Sequence, residues 1–145
     1  MLLALLLSAC LVRPTPQATP TTIRPLVIKA EENPYAPKPE EINLQQTGVI
    51  LTSLDLADLS DATPLRTQLT ILGSMPSVCK ELRIEVSPPD DAYQILIKIY
   101  SVVNPKITCD NVFQQFETSI LLGVYSPGRY IVIVNSEFVE DFIVY

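Results

Sequence analysis

Two cysteines thirty residues apart, Cys79 and Cys109, bracket the stretch that most limits how this chain can fold. Between them lie two runs of strand character, 79–86 and 93–101, joined by Pro88-Pro89-Asp90-Asp91. In the first run Leu82, Ile84 and Val86 alternate with Glu81, Arg83 and Glu85. In the second, Ile95, Ile97 and Ile99 alternate with Gln94, Lys98 and Tyr100. Period-two alternation puts one apolar face on each strand, and the two prolines, which cannot donate to a ladder, belong in the connection.

The same pattern continues on both sides. Residues 49–56 open the folded part with Ile50, Leu54 and Leu56 on one parity, and 65–72 alternate through Leu65, Thr67, Leu69 and Ile71. After Cys109, residues 110–116 read as a helical turn or irregular crossover, and Ile120 and Leu122 as a short strand. Residues 129–135 are apolar on both parities, as expected of a strand covered on both faces, and 139–145 form a last strand. About seven short strands with turn signals between them predict an all-β fold, a single immunoglobulin-like antiparallel β-sandwich spanning 48–145. No segment shows a sustained helical period.

The N-terminal third is different. Residues 1–9 are almost wholly apolar and lead through Leu7-Ser8-Ala9 into Cys10. Leu7-Ser8-Ala9-Cys10 resembles a bacterial lipobox, which implies a signal segment over 1–9 and lipidation of Cys10. No Lys or Arg precedes the apolar run, so the signal segment reads as truncated and the start codon as lying upstream. The run is too short to span a bilayer as a helix. Seven of the thirteen prolines fall between residues 11 and 41, a composition that disfavours helix and interior strand alike. Residues 10–41 therefore read as a lipid-bearing stalk, about 90 Å long if fully extended, which Leu26-Val27-Ile28 could interrupt as a short edge strand.

With Cys10 assigned to the lipid, an exported chain keeps an even pair, and that arithmetic points to a Cys79–Cys109 disulfide. Closing such a loop stabilises a fold by about 3–4 kcal/mol on the chain-entropy model.

Composition narrows the function. The chain has 145 residues, no histidine, no tryptophan and a formal charge of −6. The missing histidine removes the commonest general base and metal ligand, and the acidic balance argues against nucleic acid as a partner. No nucleophile–base pair or phosphate loop is present, so no catalytic residue, cofactor or metal is expected and the chain reads as a non-enzyme. Asp55, Asp58 and Asp61 recur every third residue but lack the spacing of a calcium loop and read as a solvated acidic loop. Asp90 and Asp91 read as turn chemistry. Tyr125, Tyr130 and Tyr145 could supply a binding face, although strand aromatics more often pack in the core.

Gly73-Ser74-Met75-Pro76-Ser77-Val78-Cys79, Cys109, the run from Phe116 to Gly123, and Gly128-Arg129-Tyr130-Ile131-Val132-Ile133-Val134-Asn135 occur in that order. This succession resembles a group of small exported bacterial domains, often carried on lipoproteins. The resemblance covers about 48–145 and implies an immunoglobulin-like sandwich with its cysteines paired; it carries no established activity. Ser136 stands where that pattern more often has glycine, which counts against a tight type I′ turn at this point.

The expected function is a membrane-anchored, extracytoplasmic lipoprotein with a non-catalytic binding or structural domain. Its partners would be the membrane, through the lipid, and a protein at the cell surface. The alternatives are a protease-inhibitor-like module using 74–78 and an accessory subunit of an envelope complex.

Overall fold

The computed structural model describes residues 33–59, 62 and 64–145. Cys10, the segments 1–9 and 26–28, most of the proline-rich stretch and Asp61 lie outside the described residues.

Among the described residues the chain forms eight strands: β1 Gln45–Thr47, β2 Ile50–Leu59, β3 Arg66–Met75, β4 Glu81–Val86, β5 Gln94–Val103, β6 Gln114–Leu121, β7 Gly128–Val134 and β8 Glu137–Val144. They form two facing sheets, so the chain folds as an all-β sandwich. The smaller sheet runs β2-β3-β6. The larger is organised on β5, which has β4 along one edge and β7 followed by β1 along the other, with β8 outside β7. The side chains expected on the apolar parities meet between the sheets: Leu69 and Ile71 of β3, Leu82 and Ile84 of β4, Ile95, Ile97 and Ile99 of β5, and Val132 and Val134 of β7. β7 has neighbours on both edges, and Ile131 and Ile133 on its outer face are half-buried, as its double apolar parity implied.

Four features depart from the sequence reading. The antiparallel arrangement has one exception, the parallel pair β5–β7. It arises because the chain leaves β5 for β6 in the other sheet and returns to β7 running in its original direction. The helical turn or crossover expected over 110–116 overlaps the start of β6, an edge strand. Its inward positions, Phe116, Thr118 and Ile120, include a polar residue, so its hydrophobic period is weak. In β2 a register shift between Leu51 and Ser53 flips the parity: Leu51 packs on the core with Leu54 and Leu56, whereas Ile50 is exposed. Finally, the folded part begins well before residue 48.

Residues 33–47 form a strap around the larger sheet. The Tyr35 carbonyl accepts from Ile84 N at 2.8 Å, and Asn33 Nδ2 donates to the Ile84 carbonyl at 2.8 Å. The strap thereby satisfies backbone groups on the outer edge of β4, an edge otherwise open to strand addition. A 3-10 turn, Pro39–Asn43, then crosses the outer face of the sheet, and β1 pairs with residues 101–103 on the far edge of β5. Arg83, on the outward parity of β4, is buried beneath this crossing. Its guanidinium forms an ion pair with Glu41, donating from Nε to both carboxylate oxygens at 2.8–2.9 Å, and also donates to Glu81 at 2.6 Å. The Arg83 bonds hold the Glu41 carboxyl down to about 2 from its ordinary value near 4.5.

Candidate interaction surface at the cysteine-braced end

Two loops close one end of the sandwich, 76–80 between β3 and β4 and 104–113 between β5 and β6. Cys79 and Cys109 bring them together with their Cα atoms 5.8 Å apart, inside the span of about 4.4–6.8 Å that a disulfide takes. Local polar contacts set each loop. Buried Ser77 accepts from Cys79 N through its hydroxyl at 3.3 Å, and Asn104 Oδ1 accepts from Lys106 N at 3.0 Å. Ile107 N donates to the Asn104 carbonyl at 3.2 Å and Val112 N to the Asp110 carbonyl at 2.9 Å.

Four large apolar side chains on these loops face water: Val78, Ile107, Val112 and Phe113, the last 60% exposed. They flank the two cysteines in sequence and share one end of the molecule. Exposed apolar groups concentrated on loops that a rigid scaffold positions mark an interaction surface more often than a packing defect.

A sequence-profile comparison identifies residues 69–144 as an ORF11 beta-sandwich domain. The chain belongs to that family. The matched span covers most of β3 and runs to the end of β8, so it contains both cysteines, Arg83 and Asn135. β1, β2 and the strap precede it. No curated protein and no solved structure matches the chain.

The other residues singled out from sequence divide differently. Asp55 and Asp58 lie within β2, not in a loop, three positions apart and so on opposite faces of an extended strand. Asp58 accepts from the Thr67 hydroxyl at 2.9 Å, and among the described residues no cluster could hold a metal ion. Asp90 Oδ1 accepts from Ala92 N at 2.9 Å and Gln94 N at 2.8 Å, which makes it the organiser of the turn before β5. Tyr125 and Tyr130 stack with each other and with Phe142 in the core, and burial pushes both phenols up; Tyr145 is exposed. In 74–78, Ser74 and Met75 belong to β3 and Ser77 is buried, leaving Val78 as the only well-exposed side chain. A protease would find little there to grip.

Sequence reasoning missed two positions that hold the sheet together. Arg83 looked like an ordinary solvent-facing residue because nothing in β4 announces the strap above it. Asn135 reads in the sequence only as the last residue of the 129–135 run. Its carboxamide accepts from Ile99 N at 2.8 Å and donates to the Ile99 carbonyl at 3.0 Å, while its own N–H donates to the Ile97 carbonyl at 2.9 Å. One side chain thus supplies the rung of β5 between the end of β7 and Thr47, the last residue of β1.

Proposed function

We propose that this chain is a membrane-anchored, extracytoplasmic lipoprotein whose sandwich is a non-catalytic binding module, presenting its cysteine-braced end to a protein partner. The observation that carries the binding role is the set of exposed apolar side chains Val78, Ile107, Val112 and Phe113 on two loops held together by Cys79 and Cys109. Bracing matters because a preordered loop loses less conformational entropy on binding than a free one. The anchoring rests on Leu7-Ser8-Ala9-Cys10 and on the proline-rich residues behind it. A partner that forms part of a larger envelope complex would make the chain an accessory subunit through the same surface.

A photo-cross-linking amino acid placed at Phe113 in the native host tests the binding role, with Leu96 on the outer face of β5 as the control position. A discrete adduct from position 113 and none from 96 is expected; equal labelling from both would end the reading. The anchor is tested by the intact mass of protein extracted from membranes. A chain starting at an acylated Cys10 is expected, and an unacylated mass overturns the lipoprotein reading while leaving the fold untouched.

A further inference from the structure

A sandwich has two open sides where the edges of its sheets approach each other, and this molecule treats them differently. On the β4 side, a cavity between the sheets is lined by Pro34 and Tyr35 of the strap together with residues of β4 and β6, and the strap bonds to the β4 backbone at Ile84. The chain covers that edge with its own extended segment. On the opposite side, β2 and β8 are each the last strand of their sheet, and among the described residues nothing pairs with their outer edges. Two cavities lie along this seam, of about 530 Å³ and about 300 Å³. β8 walls both of them: Glu137, Phe138 and Val139 line the first, and Glu140 to Ile143 the second.

Charge says what kind of strand fits. The lining of the two cavities includes Asp58, Glu137, Glu140 and Asp141 and no Lys or Arg. Asp141 is paired with Arg129, but neither Glu137 nor Glu140 has an ion-pair partner among the described residues. Glu140 is the informative residue. Its register partner on β7 is the fully buried Val132, and it shares the core-facing parity with Phe142 and Val144, yet it is exposed at the seam. A lone carboxylate at a core-facing position of an edge strand opposes pairing with an identical edge. An antiparallel pairing of two β8 strands would bring such carboxylates close together, at a cost in like-charge repulsion. The same groups attract a strand that carries cations.

We propose that the β2/β8 seam binds an extended peptide segment of a partner protein, which adds to the free edge of β8 and alternates apolar with Lys or Arg side chains. Main-chain hydrogen bonds to β8 would give affinity. On such a strand the cations, all on one face, would enter the seam beside Glu137 and Glu140, and the apolar side chains, on the other face, would lie against the exposed Phe138 and Ile143. This site is separate from the cysteine-braced end, and neither depends on the other.

The test titrates the full chain with a blocked nonapeptide of alternating Lys and Val, followed by backbone amide NMR. Shifts and slowed amide exchange confined to β2 and β8 are expected. Binding should fall at least tenfold for a Glu/Val nonapeptide, for the Lys/Val peptide with proline at its centre, and for the double variant E137K/E140K. The double variant E40K/E117K removes the same charge from exposed positions elsewhere and should bind normally; both variants are checked for a native spectrum. Equal binding of the Lys/Val and Glu/Val peptides, or equal weakening by the two double variants, would overturn the proposal. So would protection, in the free chain, of the β8 amides that point away from β7, since the seam would then be filled by a second copy or by the chain's own leading residues. Dependence of that protection on protein concentration separates these two.

Discussion

At the level of single residues, the hairpin between β7 and β8 combines a strained turn with a bond that fills a gap. Asn135 and Ser136 both have positive φ, 48° and 72°, as both central residues of a type I′ turn must. The turn forms even though serine occupies the position that favours glycine. A non-glycine residue in this region carries a cost of about 1–2 kcal/mol, so Ser136→Gly should raise unfolding stability by about 1 kcal/mol. The neighbouring change acts in the opposite sense. Asn135→Ala leaves the Ile99 N–H and carbonyl without their partners, and orphaned backbone groups cost about 1–3 kcal/mol each; partial access of water should keep the total near 2–3 kcal/mol. Gly73 is constrained by space. A Cβ there would stand 2.4 Å from the Ile50 carbonyl oxygen and 2.8 Å from the Phe116 ring. Gly73→Ala must push β2 away from β3 and should cost about 1–3 kcal/mol. Denaturant titration of the three variants checks all of these, and the opposite signs at 135 and 136 guard against a general loosening.

At the level of elements, the strap makes the most specific claim, because its main anchor titrates. Glu41 is held near 2 in the folded chain and ordinarily titrates near 4.5, chiefly through its bonds from Arg83. A carboxyl with a lowered folded value contributes stability above its unfolded value and loses it as pH falls through the folded one. The contribution should therefore be complete above about pH 4.5 and fade toward pH 2, at roughly 1–2 kcal/mol after solvent screening. Glu41→Gln should lower stability at neutral pH and flatten that acid limb, which denaturation curves collected from pH 2 to 6 would show. The strap also marks how far the sequence could be read. β3, β4, β5 and β7 were legible because they lie near the centre of their sheets or under full cover, where one parity must be apolar. β1 and β6 were not. β1 is three residues long, and β6 is an edge strand with Thr118 on its inner face. The Arg83–Glu41 pair joins residues 42 apart in sequence, and no local period encodes such a contact. At the cysteine-braced end the two thiols were legible from count and context, whereas the exposure of Ile107 and Phe113 depends on the path of a loop without periodicity.

At the level of the whole molecule, the sandwich is restrained differently at its two ends. At the end where β5 begins, Tyr93, Tyr125, Tyr130 and Phe142 form one aromatic cluster, and the Arg66 guanidinium reaches the Leu122 carbonyl at 3.0 Å through Nε. That end is held by packing. At the other end the loops 76–80 and 104–113 place apolar side chains in solvent, so burial contributes little and a covalent link between Cys79 and Cys109 would do most of the holding. Such a link closes a loop of 30 residues, worth about 3–4 kcal/mol through restriction of the unfolded chain, against a net stability of about 5–15 kcal/mol for a domain. Reduction, or the double variant C79S/C109S, should then lower the unfolding free energy by that amount while leaving the fold and the tyrosine cluster intact. The loss should also be local. In the native state, amide exchange ought to quicken in 76–80 and 104–113 well before it does in β5 or β7, because the loops lose their restraint and the core strands do not. A uniform rise in exchange across the sheets would mean that the bridge supports the core itself. Unchanged loop exchange would mean that packing already orders this end, and bracing would no longer explain how Val78 and Phe113 are presented.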